Sequence, residues 1–172
     1  LGTERLLTDD AAVVVALPFD FPFYEVNYNS MSLGANGYVV LGGTDTWSST
    51  WGTAIPSTNT PNNFIAMFWR DLNSASGTQG HIYTYDDTAN NRFVIQFQDV
   101  QHFSSGNPET FQCFLYSNGN IVIQYNSISD AAGVLVGIEN VDGTDGVQVC
   151  WEGDGECPAE ELAILINQPD GL

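Results

Sequence analysis

The sequence predicts an all-β fold, a two-sheet antiparallel β-sandwich of jelly-roll-like form with about ten strands. Three observations point that way. Apolar residues recur with a period of two almost throughout, the spacing of strands with one buried face. These runs are short and separated by reversal signals, namely Asn36-Gly37, Asn118-Gly119-Asn120, Asp142-Gly143, Asp145-Gly146 and Asp154-Gly155. Asn and Asp tolerate left-handed backbone there, and Gly meets no steric penalty. No stretch carries an apolar stripe at helical spacing over a useful length. A closed barrel is the second expectation.

The first strand is expected over 11–17, where Val13, Val15 and Leu17 alternate with Ala12, Val14 and Ala16. Phe19, Phe21 and Phe23 then alternate and project three rings to one face, while Pro18 and Pro22, lacking N–H groups, suit an edge strand. Strands over 21–26 and 37–42 follow. Gly42 to Asn63, rich in Thr, Ser and Asn, reads as one long irregular loop; its Trp47 and Trp51 would anchor it over a sheet end. The next strands are expected over 63–69, with Phe68 and Trp69 in the core, and over 80–86, 92–100, 110–116, 120–125, 133–139 and 146–151. A final one lies near 161–167. Phe93, Ile95 and Phe97, then Phe111, Cys113 and Leu115, then Ile121, Ile123 and Tyr125 supply the inward faces of three of these, and Asn118-Gly119 is the clearest hairpin. Pro158 to Ala163, with Pro first and Glu160 and Glu161 early, suits the start of a single helical turn.

Composition sets the class. The 172 residues are 43% hydrophobic and 12% aromatic against 14% charged, too apolar for a disordered acidic tail. A chain this long buries roughly 70% of its unfolded surface, so one domain spanning 1–172 needs no metal or disulfide scaffold. Three Lys+Arg stand against 21 Asp+Glu, a net charge of −18, and the cations are Arg5, Arg70 and Arg92. With no basic stripe, nucleic-acid and anionic-lipid partners are excluded. The longest apolar run, near Ala11 to Leu17, is too short to span a bilayer, so no membrane insertion is expected. The start at Leu1, with neither Met nor a basic-then-apolar leader, fits a mature or excised piece of a secreted protein. The absence of Lys and the abundance of Asn, Ser, Thr, Gly and Tyr fit an extracellular or cell-surface location; a halophile's acidic surface would give a similar charge.

Cys150 and Cys157 bracket a short segment with two glycines that can bring the sulfurs together, and a disulfide is expected. So small a loop removes little chain entropy. Cys113, on the inward side of its strand, reads as a buried thiol, although pairing with either other cysteine stays open.

Several phrases occur in order: Leu17-Pro18-Phe19-Asp20-Phe21-Pro22-Phe23-Tyr24, Asn36-Gly37-Tyr38-Val39-Val40-Leu41-Gly42, Ile55-Pro56-Ser57, Pro61 to Leu72, Phe93 to Val100, Thr110 to Tyr116, Asn118 to Tyr125, and Val136 to Thr144. Over about residues 12–145 this order resembles the nidogen-like extracellular β-sandwich module, an appendage of secreted bacterial proteases, adhesins and large surface proteins. The resemblance implies a non-catalytic adhesive, matrix or accessory role. Two positions depart from the pattern. Arg70 stands where the family often has the first Asp of a Phe-Trp-Asp-Asp-Leu phrase, which weakens any ion site built there, and Glu25 stands where Gly usually follows Tyr.

Sites of chemistry are sparse. No nucleophile elbow, phosphate-cradling loop or Cys-x-x-Cys pair is present. His81 and His102 would have to converge with a carboxylate to make a zinc or catalytic site, and the plainer reading is two surface or rim histidines. The adjacent acids Asp86-Asp87 and Glu160-Glu161 carry no glycosidase signal in so acidic a chain. No enzyme is therefore expected. Calcium is the one cofactor to consider: Asn140, Asp142, Thr144 and Asp145 form a candidate metal loop, and Glu152, Asp154 and Glu156 a second inside the disulfide, with solvated turns as the plainer reading. Trp47, Trp51 and Tyr85, in or beside loops, are candidate ligand-binding residues that could stack on glycan rings.

The function these features favour is a non-enzymatic extracellular structural or adhesive subunit of a surface or filamentous assembly, its partners being copies of itself or other extracellular proteins. Strand addition would use Ala11 to Leu17 or Leu162 to Ile166. The chain ends Leu1-Gly2-Thr3 and Asp170-Gly171-Leu172 would then be held by contacts beyond one domain. The rival function is a glycan- or protein-binding accessory module of a larger protease or adhesin.

Overall fold

The computed structural model describes residues 2–168. Leu1 and residues 169–172, and with them most of the chain ends considered above, lie outside the described residues. The described residues form fourteen strands: β1 (Thr3–Glu4), β2 (Ala12–Phe23), β3 (Val26–Gly34), β4 (Tyr38–Leu41), β5 (Phe64–Trp69), β6 (Leu72–Asn73), β7 (His81–Asp87), β8 (Arg92–His102), β9 (Pro108–Tyr116), β10 (Ile121–Ile128), β11 (Leu135–Glu139), β12 (Gly146–Trp151), β13 (Asp154–Gly155) and β14 (Ala163–Ile166). They form two antiparallel sheets of seven strands each, as the all-β sandwich reading expects. The first runs β1-β7-β8-β9-β10-β14, with β6 also beside β8; the second runs β13-β12-β11-β5-β4-β3-β2. No helix among the described residues is long and apolar enough to cross a membrane.

Alternation builds the core. Ile82, Phe93, Ile95, Phe97, Phe111, Cys113, Leu115, Ile121 and Ile123 point inward from the first sheet onto Val15, Phe21, Met31, Leu33, Val39, Ile65, Met67 and Val136 of the second. Offset ring pairs such as Phe97–Phe111, with centroids 4.6 Å apart, fill its centre. Hydrogen bonds also cross between the layers: the Tyr125 hydroxyl of β10 donates to the Met67 carbonyl of β5 at 2.7 Å, and the Leu72 amide of β6 donates to Asn36 Oδ1 in the β3–β4 turn at 2.8 Å.

All six residues of β5 are buried, because the second sheet is covered on both faces. On its outer side Tyr38, Phe64, Ala66, Trp69 and Leu135 form a separate apolar cluster, closed by Ile55 from the 42–63 loop. Trp69 stacks on Tyr38 with centroids 3.9 Å apart and donates from Nε1 to the Ser49 carbonyl. A Cβ at Gly52 would run into Leu135 and Trp69, and one at Gly137 would meet Ile55, so both glycines permit the loop's close approach. The loop does fold back, but Ser49, Gly52 and Ile55 hold it. Trp47 and Trp51, expected as anchors, are 61% and 53% exposed.

Three further departures from the sequence reading have local causes. β3 was not expected, and it pairs with β2 through a reversal at Tyr24 and Glu25, both at positive φ. This is the hairpin geometry usually given to Asn-Gly. The expected strands 11–17 and 21–26 are one edge strand, β2, broken by a register shift between Ala16 and Phe21 at Pro18. The segment from Pro158 makes no helix: it closes a single turn, with the Leu162 amide donating to the Ala159 carbonyl, and β14 follows.

Candidate functional site

The outer face of the first sheet is built by the residues that alternate with its core. Register aligns them in rows across the strands. Tyr83, Gln96, Gln112, Gln124 and Ala163 pair in sequence from β7 to β14, and beside them run Tyr85, Val94, Phe114, Val122 and Leu165. Four strand spacings make each row about 19 Å long. The amides interlock: Gln112 Nε2 donates to Gln96 Oε1 at 2.9 Å, and Gln96 Nε2 to Gln98 Oε1 at 3.3 Å.

Two depressions of about 470 and 430 Å³ lie on this face and share Gln96 and Gln112, so they form one groove across the strands. Gly2, Tyr83 and Tyr85 bound one end; Glu161, Leu162 and Ala163 bound the other. At the tyrosine end Arg92 lies over the Phe114 ring, 4.5 Å from its centroid, and donates from Nε to Asp87 at 2.7 Å. That hydrogen bond holds the Asp87 carboxyl below the usual carboxylate range. Asp87 and Arg92 cancel, leaving Glu161 as the groove's one net charge among the described residues, in a protein of −18.

The sequence candidates do not converge. Tyr85 lines the groove and is 46% exposed. Trp47 and Trp51 sit on the opposite side of the molecule: Trp47 bounds a small hollow over Tyr38 and Val40, and Trp51 carries the Arg70 guanidinium 4.8 Å from its ring centroid. Asn140, Asp142, Thr144 and Asp145 do form one loop, but they bond to each other. Asn140 Oδ1 accepts from the Thr144 and Asp145 amides, and the Thr144 hydroxyl donates to Asp142 at 2.8 Å, which lowers the Asp142 pKa. In the second candidate loop Glu152, Asp154 and Glu156 are all exposed. Cys150 and Cys157 are disulfide-bonded and Cys113 is the free, fully buried cysteine, its thiol pushed far up by burial.

His81 lies at the surface as expected, and His102 does not. His102 is buried, not at a surface or rim: its Nε2 lies 2.8 Å from Oε1 of the fully buried Glu109. His81 pairs separately with Glu4 at 2.6 Å. Among the described residues the one group of three metal-ligating side chains in reach of each other is Asp9, Asp10 and Asp71. Burial first, then Asp10 and Asp9, raises the Asp71 pKa, opposed by Arg70 and His102. Asp71 belongs to the phrase whose first carboxylate is replaced by Arg70, and its partners stand some 60 residues earlier in the chain.

No curated protein and no solved structure matches the chain. The family model described as NIDO related matches residues 2–152, nearly the whole of both sheets, and this chain therefore belongs to that nidogen-related family.

Proposed function

We propose that the chain is a non-enzymatic extracellular module that works by adhesion, an accessory domain of a larger secreted or surface protein such as a protease or adhesin. The observation that carries this reading is the contrast between the two outer faces. The second sheet's is closed by the chain's own 42–63 loop, whereas the first sheet's carries an open groove in which Glu161 is the one unpaired charge among the described lining residues. Family membership and the Cys150–Cys157 disulfide support the extracellular setting. Separate pairing of each histidine with its own carboxylate, and the burial of Cys113, support binding over catalysis.

Labelled protein should adsorb to insoluble cell-wall or extracellular-matrix preparations without releasing soluble product from them. Product release would overturn the non-enzymatic reading, and no adsorption to any preparation would overturn adhesion.

A second reading, self-assembly, draws on two sheet edges. β2 and β14 each pair on one side only, and Leu165 of β14 is 57% exposed. Strand addition at β14 would extend the first sheet. Light scattering with and without millimolar calcium tests it: large oligomers support assembly, reversal by chelator makes calcium its switch, and a monomer in both conditions rejects it.

A further inference from the structure

Resting on the adhesion reading, we propose that the groove on the first sheet takes an uncharged polysaccharide chain laid across the strands. Three features of the groove specify this chemistry.

The first is charge. The protein's net charge of −18 repels acidic polymers at a distance, and among the described residues the groove offers no free cation to recapture them, since Arg92 is held by Asp87. A cationic partner would be drawn to the carboxylates elsewhere on the surface, whereas the groove holds only Glu161 unpaired. What fits here is neutral.

The second is hydrogen bonding. Gln96, Gln98, Gln112 and Gln124 present amides, each with both donor and acceptor atoms, and the two bonds among them use two donors and two acceptors. All four residues line the groove, with Asn126 and Thr110 beside them. Sugar hydroxyls, which both donate and accept, complement such a row at every position.

The third is the aromatic end. Tyr83 and Tyr85 stand two residues apart on one face of β7, their Cα atoms a strand repeat of roughly 7 Å apart, and the Tyr83 ring stacks on His81 with centroids 5.8 Å apart. They offer flat apolar surface to the C–H faces of pyranose rings, with hydroxyls at the tip. The amide row advances about 4.8 Å per strand, close to the rise of one hexose in an extended chain, so successive sugars meet successive strands. A peptide binding by strand addition would need a free sheet edge, whereas the amide row lies on the face of the central strands β8, β9 and β10.

The test is electrophoresis of the full chain in native gels containing mixed-linkage β-glucan, arabinoxylan, galactomannan or amylopectin, with polygalacturonate as the acidic control. Wild type is expected to be retarded by at least one neutral polymer and not by polygalacturonate. Tyr85→Ala and Gln112→Ala are expected to weaken that retardation roughly ten-fold or more. Tyr85→Phe, which keeps the ring, and Val147→Ala, on β12 of the other sheet, are expected to retain it. Retardation by no neutral polymer, retardation by polygalacturonate alone, or equal retardation of wild type, Tyr85→Ala and Gln112→Ala would each overturn the proposal. If the protein still adsorbs to matrix preparations in those cases, the adhesion reading stands and only the ligand and its site are wrong. If it adsorbs to nothing, both fall.

Discussion

Glu109→Ala is expected to be among the most destabilising single substitutions in this protein. The Glu109 carboxyl is fully buried, and four hydrogen bonds end on it: His102 Nε2 at 2.8 Å, the Ser129 amide at 2.8 Å, the Ser129 hydroxyl at 2.8 Å and the Asp130 amide at 3.0 Å. It thereby ties the β8–β9 hairpin to the loop leading into β11. Truncation strands these groups unequally. Ser129 is exposed and its hydroxyl can turn to water, whereas His102 is 3% exposed and packs edge-on against Phe68. One stranded buried ring nitrogen and two partly solvated amides cost about 3–5 kcal/mol together, in line with breaking other buried pairs. At this chain length that lowers Tm by roughly 10 °C. Urea unfolding followed by tryptophan fluorescence measures it as a fall in midpoint at unchanged slope. A loss below about 1 kcal/mol would refute the reasoning. So would additivity with His102→Ala, because removing two members of one buried pair should show a coupling of roughly 1–3 kcal/mol.

Four further outcomes are expected. Tyr125→Phe removes the hydroxyl bond to the Met67 carbonyl across the sheets, costing about 1–2 kcal/mol by urea midpoint. Replacing Cys150 and Cys157 by Ala opens a loop with a sequence separation of seven, and the double variant should lose ~2 kcal/mol while dithiothreitol ceases to affect its melting. Glu25→Gly should gain up to about 1 kcal/mol, since φ at this position is +64° and only Gly adopts it freely. Asp71 has a folded-state pKa raised above 3.8, so its ionisation penalises the folded state at neutral pH, and the penalty fades as pH falls through that raised value. Asp71→Asn should therefore stabilise the protein at pH 7, with the gain shrinking toward pH 4; a gain that grows on acidification would contradict the assignment.

The parts of the fold that were legible in the sequence are those where alternation runs unbroken. β7 to β10 pair as consecutive hairpins, and their inward residues are the ones that period two selects. Pro18 and Pro22 correctly marked β2 as an edge strand. Legibility fails where one extra residue changes parity. Continuing from Phe93, Ile95 and Phe97 would turn Gln101 inward and His102 outward, but a bulge at Asp99, φ +53°, turns Val100 and His102 into the core instead. β3 hides for a different reason: Asn27, Asn29, Ser30 and Ser32 have poor strand propensity, and Tyr24-Glu25 is not a recognisable hairpin turn. The groove was legible only at Tyr85. Each glutamine, read alone, is an ordinary outward polar residue, and the row exists only once register aligns β8, β9 and β10.

That row also bears on the choice between adhesion and assembly. Self-assembly by strand addition needs a straight edge with free backbone groups, and the longest edge here is poorly suited to it. β2 is twelve residues long, yet a register shift and two prolines interrupt it, and at its start the Ala12 amide already donates to Thr46 of the chain's own loop. β14 offers only four residues, Ala163–Ile166. The groove has the opposite character. Its glutamines occupy central strands, where a β-branched or aromatic residue would favour the sheet more, and they form side-chain bonds in the open that add little stability. A surface serving stability alone would not need three of them in register. Their placement is explained if the amides meet a ligand, and that argument favours the broad face of the first sheet over an edge as the proposed contact surface.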